Sequence, residues 1–97
     1  MNRQGVLTKL SEHADEMRNR FSVKAISIFG SIVRDEAGED SDLDVLVAFE
    51  DKATFDGFMD LKFYLEELLR TRVDLVTDKA LRPQVLRAIE KELVRVA

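Results

Sequence analysis

The 97-residue chain contains no cysteine, no tryptophan, one proline and one histidine. Without cysteine it forms no disulfide, holds no thiolate-bound zinc and has no cysteine nucleophile. A single histidine, His13, cannot build a multi-histidine metal site. Any metal bound to this chain must therefore be held by oxygen ligands.

Long apolar runs are also missing. A membrane-spanning helix needs roughly 20 apolar residues, and Arg3, Lys9, Glu12 and Asp15 interrupt the segment where a signal peptide would be apolar. We therefore expect no membrane association and a cytoplasmic location. The 19 acidic residues outnumber the 15 basic ones, which argues against strong direct nucleic-acid binding because that mode needs a basic surface.

The remaining composition is typical of a folded domain, with 45% hydrophobic and 35% charged residues. The length suits one domain, and the chain has no internal repeat, low-complexity stretch or flexible linker. We expect a single domain over residues 1–97.

Hydrophobic spacing predicts secondary structure along the whole chain. Helical spacing covers about residues 5–20, a segment capped by Thr54 that runs to about residue 70, and a segment from Pro83 to the end of the chain. Strands are predicted at 25–29, 44–49 and 72–76, with a short helix within 31–37. The order α-β-α-β-α-β-α indicates an α/β (α+β) fold in which helices flank a small sheet. The strand directions stay open.

The first candidate site is Gly30-Ser31, between a predicted strand and a helical turn. Free backbone N–H groups at such a turn can bind a phosphate, and glycine allows close approach. Arg34, one turn later, could reach the same phosphate. By itself, the pair is more often only a turn with a helix cap.

The second candidate site is the pair Asp42 and Asp44, at the start of an apolar strand. Their spacing of two places both carboxylates on one side of a strand. Their mutual repulsion is relieved by a divalent cation, and magnesium prefers such oxygen ligands. Alternatively, Asp42 belongs to a turn and Asp44 to a solvated strand edge.

Asp74 is a third acidic residue within an apolar segment, which predicts a carboxylate in an interior strand. A charge buried there is costly unless it is paired or binds metal. If the two strands are neighbours, Asp42, Asp44 and Asp74 converge on a two-ion site that faces Gly30-Ser31.

These residues together resemble the signature of the minimal nucleotidyltransferases of the DNA polymerase β superfamily. The matching positions are Gly30-Ser31, Arg34, Glu36-Ala37, Ser41-Asp42-Leu43-Asp44 and Val45-Leu46-Val47, with Asp74 as the later carboxylate. The resemblance implies a mixed sheet flanked by helices, and ATP bound as substrate with two Mg²⁺ ions. It also implies that an α-phosphate is attacked in line with release of pyrophosphate.

The resemblance further implies a role for each matching residue. Gly30 and Ser31 hold the triphosphate, and Arg34 neutralises phosphate charge. Asp42 and Asp44 bind metal. Asp74 binds the catalytic metal and helps to take the proton from the attacking hydroxyl.

Stand-alone members of this family resemble antitoxins that act on a HEPN-family toxin protein, some by attaching AMP to a toxin tyrosine. By this resemblance we expect a protein adenylyltransferase whose partner is a HEPN toxin. The alternative is a non-catalytic antitoxin that neutralises its partner by binding, and transfer to a small molecule or nucleic-acid end is a third reading. Asp35 stands where many relatives have glycine after the arginine, which keeps a catalytically impaired variant open.

Overall fold

The structure is a computed structural model that describes residues 2–38 and 40–96. Within these residues it contains four α-helices: α1 (Arg3–Glu12), α2 (Ala14–Phe21), α3 (Phe55–Leu69) and α4 (Pro83–Glu90). The strands there are β1 (Val23–Phe29), β2 (Leu43–Phe49), β3 (Val73–Thr77) and β4 (Val94–Arg95). Short 3₁₀ turns occupy Gly30–Ile32 and Asp78–Ala80. The ends of the predicted domain, residues 1 and 97, lie outside the described residues.

The four described strands form one mixed sheet in the order β3-β2-β1-β4. β1 runs antiparallel to β2 and to β4, whereas β2 and β3 run parallel. The mixed sheet expected from the family resemblance is therefore confirmed. β2 lies inside the sheet, and its residues Val45, Leu46 and Val47 are buried, as its continuous apolar sequence predicts.

The hydrophobic core joins the sheet to helices α1, α2 and α3. From the helices, α3 contributes Leu61, Leu65 and Leu69, which are four residues apart and so share one face. Thr54 begins α3 as predicted, because its Oγ1 accepts a hydrogen bond of 3.0 Å from the Gly57 N–H. The innermost side chains are Leu10, Met17, Ile26, Ile28, Leu61, Leu65, Val6, Val45 and Val47.

The single helix predicted over residues 5–20 is instead two helices that meet at His13. His13 has φ −109° and ψ 11°, outside the helical region, and its N–H donates to the Leu10 carbonyl. Its ring Nδ1 also lies 2.8 Å from the Lys9 carbonyl oxygen. The periodicity failed to reveal the break because Leu10 and Met17, on either side of it, still reach the core.

The predicted carboxyl-terminal helix also ends early. α4 stops at Glu90, and the chain then forms β4 along the open edge of β1, where the Val96 N–H donates to the Ile26 carbonyl at 2.8 Å. The short helix predicted within 31–37 is reduced to the 3₁₀ turn and a following turn. No helix in the described ranges 2–38 and 40–96 is long and apolar enough to cross a membrane.

Candidate active site

The candidate site is centred on Asp44 because β2 has a neighbouring strand on each side at this point. Phe29 is the partner of Asp44 on β1, and Asp74 is its partner on β3. Gly30 follows Phe29 directly. The sheet therefore brings the Gly30-Ser31 turn and two acidic residues to one place, although they are far apart in the chain.

Gly30 lies against the Asp44 side chain in a conformation that favours glycine. Its φ is +79°, and a Cβ built on it would lie 2.1 Å from Asp44 Oδ2 and 3.0 Å from Asp44 Cγ. Both the backbone conformation and the lack of space require glycine at this position. The Gly-Ser turn is thus packed directly on the acidic residue.

The electrostatic environment of Asp44 is unfavourable for a carboxylate. Partial burial raises the pKa of the Asp44 carboxyl, and the negative charges of Asp74 and then Asp42 raise it further. All three acidic residues of the motif are therefore close enough to interact electrostatically. A positive counter-charge placed among them would relieve this repulsion.

The prediction that Asp74 lies in an interior strand is wrong. β3 is at the edge of the sheet, and Asp74 is exposed between buried Val73 and Leu75. Its apolar neighbours point to the core because side chains alternate along a strand, so the acidic residue between them faces out. Burial therefore does not force Asp74 to be paired.

The three carboxylates match the donor chemistry that magnesium prefers, but they are not gathered as a ligand set. Among residues 2–38 and 40–96, no three Asp, Glu, His or Cys side chains are arranged to hold a metal ion. Asp42 is instead paired with Arg72, whose Nε lies 2.9 Å from Asp42 Oδ1. The residue types fit a divalent cation, which would compete with Arg72 for the Asp42 carboxylate.

The Gly30 N–H is the candidate hydrogen-bond donor to a phosphate. In the structure it is hydrogen-bonded to a carboxylate near the carboxyl terminus. It donates to Glu92 Oε1 at 3.0 Å. Arg34 binds the same group, with Nη1 at 2.9 Å from Glu92 Oε2 and 3.1 Å from Oε1. Arg34 Nε also lies 3.0 Å from Glu36 Oε2. Gly30 and Arg34, both predicted to bind phosphate, therefore both donate hydrogen bonds to the Glu92 carboxylate.

The titration behaviour of this cluster follows from these contacts. Hydrogen bonding from Arg34 lowers the pKa of the Glu92 carboxyl, and the Gly30 N–H lowers it too. Hydrogen bonds to Glu36 and Glu92 raise the pKa of the Arg34 guanidinium. Glu92 is therefore held in its anionic form at neutral pH.

Asp35, the position at which the family resemblance implies glycine, adopts a left-handed backbone with φ +57°. Glycine would adopt this conformation without a steric penalty. Aspartate is among the few other residues that tolerate it. The side chain of Asp35 is exposed.

Two open cavities bear on the site in different ways. A cavity of about 410 Å³ is bordered by Gly38, Ser41 and Asp42 and so adjoins the acidic motif. A larger cleft of about 670 Å³ lies between α2 and α3, lined by Phe63, Tyr64 and others, and includes none of the motif residues. The smaller cavity is therefore the one that adjoins the candidate site.

Sequence reasoning assigned no role to Glu92 or Arg72. The helical spacing after Pro83 predicts a continuing helix at Glu92, although the alternating pattern of Val94, Arg95 and Val96 is typical of a strand. No sequence pattern predicts the ion pair of Arg72 with Asp42, because that contact depends on the pairing of β2 with β3.

Comparisons with known proteins show the family of this chain. A family model described as "Nucleotidyltransferase domain" matches residues 10–96. The protein adenylyltransferase MntA of Thermococcus cleftensis is 46% identical over 87 residues, which cover 90% of this chain and 88% of that protein.

Solved structures show the same fold. A protein proposed to be a minimal nucleotidyltransferase is 37% identical, with a TM-score of 0.82 and coverage of 97% of this chain and 95% of that one. One chain of a complex of tri-AMPylated Shewanella oneidensis HEPN toxin with MNT antitoxin matches with 16% identity and a TM-score of 0.68, covering 94% of this chain and 71% of that chain. The chain belongs to the nucleotidyltransferase domain family.

Proposed function

We propose that this protein transfers AMP from ATP to a hydroxyl group of a partner protein. The observation that carries the proposal is the position of Asp44, which is the strand partner of Asp74 and packs against Gly30. A nucleotidyl transfer needs a triphosphate site beside acidic residues. The Gly30-Ser31 turn, which we propose as the triphosphate site, follows the β1 partner of Asp44 in the sheet. The 46% identity to a protein adenylyltransferase supports a protein as the acceptor.

In the proposed reaction, the acceptor oxygen attacks the α-phosphate of ATP in line. A new P–O bond forms while the bond to the departing pyrophosphate breaks. Gly30, Ser31 and Arg34 orient the triphosphate, and Asp74 draws the proton from the attacking hydroxyl. Asp42, Asp44 and Asp74 would hold Mg²⁺, whose chemistry when bound is to neutralise the charge on the entering and leaving oxygens.

The exposed position of Asp74 is consistent with a separate protein as acceptor. β3 is an edge strand, so Asp74 is reached from outside without passing through the core. A side chain on another protein can therefore approach the residue that takes its proton. This arrangement favours a macromolecular acceptor presented at the sheet edge.

The acceptor we propose is a tyrosine of a HEPN-family toxin, which makes this protein an antitoxin. A solved structure with a chain of this fold is a complex of a tri-AMPylated HEPN toxin with an MNT antitoxin. Modification of the toxin would be the step that neutralises it.

The direct test uses the purified protein, Mg²⁺, a HEPN-family toxin protein as partner and ATP labelled at the α-phosphate. We expect label on the partner, its loss on chelation of Mg²⁺, and label on tyrosine after peptide mapping. Asp44→Asn should reduce labelling at least 100-fold, because a carboxylate of the reacting centre is lost. Asp51→Asn, which neutralises an exposed loop residue, is the matched control.

A second candidate function is neutralisation by stoichiometric binding without chemistry. It is favoured by the internal pairing of the site, in which Glu92 binds Gly30 and Arg72 binds Asp42. This candidate predicts that Asp42→Asn and Asp44→Asn variants neutralise the toxin fully in cells. If they do, and no label is transferred, the catalytic proposal is wrong.

A further inference from the structure

We propose that Glu92 is an internal competitor of the nucleotide, whose carboxylate occupies the position of a triphosphate oxygen on Gly30 and Arg34 and is displaced when the nucleotide binds. This inference rests on the proposed function for the identity of the ligand. It adds a residue to the site that is outside the nucleotidyltransferase motif.

The contacts of Glu92 are those that a phosphate would make. One oxygen accepts from the backbone N–H of Gly30 at 3.0 Å, and both oxygens lie within 3.1 Å of Arg34 Nη1. Carboxylates and phosphates are both bound by arginine and by backbone N–H groups through charge-assisted hydrogen bonds. A triphosphate that binds the Gly30 N–H and Arg34 Nη1 must therefore take both donors from Glu92.

The carboxyl-terminal segment holds Glu92 at this position. The Glu92 N–H donates to the Ile89 carbonyl, and Val94 is paired with Ile28 on β1 two residues later. The backbone on both sides of Glu92 is thus anchored. The main chain can stay in place while the side chain, 28% exposed, rotates out towards solvent.

Competition of this kind raises the apparent Kd for the nucleotide. The apparent Kd equals the intrinsic Kd divided by the fraction of time for which the Gly30 and Arg34 donors are free. If Glu92 occupies them about 80% of the time, the apparent Kd is raised about fivefold. Removing the carboxylate should recover that factor. A residue that only positions Arg34 would have the opposite effect, because its loss would disorder the arginine and weaken binding.

The test is calorimetric titration of the full chain with a non-hydrolysable ATP analogue and, separately, with inorganic tripolyphosphate, both with Mg²⁺. The variants are Glu92→Gln, which keeps the shape and removes the charge, and Glu92→Ala, which removes the group. Glu90→Gln is the matched control, since it neutralises an exposed residue two positions away. We expect about fivefold tighter binding of both probes to the Glu92 variants and no more than a small change for Glu90→Gln.

A second readout follows the Gly30 amide by ¹H–¹⁵N NMR. In the free protein, its resonance should move when Glu92 is replaced and stay in place for Glu90→Gln. Addition of tripolyphosphate to the parent should shift the same resonance. An unmoved Gly30 amide in the Glu92 variants would show that the carboxylate does not occupy this donor.

The outcomes separate the two proposals. Equal or weaker binding by both Glu92 variants, with label still transferred to the partner, would overturn the role of Glu92 and leave the proposed function. Tighter tripolyphosphate binding without any adenylyl transfer would support the competitor and overturn the proposed reaction. If neither probe binds to any of the proteins, both proposals are wrong.

Discussion

The backbone of Gly30 is packed so closely on Asp44 that a Cβ at position 30 would lie 2.1 Å from the Asp44 Oδ2 atom. In Gly30→Ala, either the backbone at position 30 or the Asp44 side chain must move to make room for the new methyl group. The alanine must also adopt φ +79°, which is unfavourable for a residue with a side chain. We expect a loss of about 2 kcal/mol in the free energy of unfolding, measured by urea denaturation, together with loss of activity. Gly38→Ala is the matched control because a Cβ there would meet no atom within 4 Å; equal losses in both variants would contradict the prediction.

Asp35 offers a way to separate backbone strain from charge. Asp35→Gly should raise the free energy of unfolding by about 0.5 kcal/mol, because glycine adopts φ +57° freely. Asp35→Asn removes the charge but keeps a side chain that tolerates this backbone. If the negative charge weakens triphosphate binding, both variants should bind the ATP analogue more tightly in calorimetry, whereas only Asp35→Gly should be more stable. A loss of affinity in either variant would show that Asp35 supports the site.

Tyr64 should titrate far above the ordinary tyrosine range. Burial, followed by its hydrogen bond to Glu16, raises the pKa of Tyr64 to about 12. It is the sole tyrosine in a chain without tryptophan, so absorbance at the phenolate band reports it alone. Glu16→Gln should lower the pKa, and Glu12→Gln, at an exposed position of α1, should leave it unchanged.

The same shift sets the sign of the pH dependence. The folded pKa lies above the unfolded value of about 10, so the folded state binds the Tyr64 proton more tightly. Its contribution to stability is full below about pH 10 and is lost as the pH rises towards about 12. Denaturant unfolding at pH 9 and pH 11 should show this decrease in the parent and a smaller one in Glu16→Gln. An equal decrease in stability in both proteins would mean that the hydrogen bond to Glu16 does not raise the pKa of Tyr64.

Arg72 should oppose cation binding through its pairing with Asp42. Arg72→Gln removes the positive charge 2.9 Å from Asp42 Oδ1, so Mn²⁺, used as a magnetic probe for Mg²⁺, should bind several-fold more tightly in electron paramagnetic resonance titrations. The cost in stability should stay below about 1 kcal/mol because both side chains are more than half exposed. Arg87→Gln, at an exposed position of α4, controls for net charge. Unchanged Mn²⁺ affinity would show that Arg72 does not restrain Asp42.

Local sequence predicted most of the elements and the acidic motif. The four-residue spacing of Leu61, Leu65 and Leu69 defines a helix whatever lies beneath it, and the apolar run Val45-Leu46-Val47 indicates a buried strand. The predictions of secondary structure were wrong at the helix break at His13 and at the strand β4, where local sequence barely distinguishes the possible structures. The helical spacing of the apolar residues continues across the break at His13, because Leu10 and Met17 on either side of it are both buried. The strand β4 has only two residues, and its sequence cannot be distinguished from the end of a helix unless its pairing with β1 is known.

The sequence by itself determined the donor chemistry: no thiolate, one imidazole, and a motif of closely spaced aspartates after a Gly-Ser turn. Only the tertiary structure decided that Asp74 is exposed at a sheet edge and that Glu92 and Arg72 occupy groups of the site. The physical reason is that these contacts join residues 30 to 62 positions apart through strand pairing. Such pairing depends on how the whole chain buries its apolar surface and not on any local pattern.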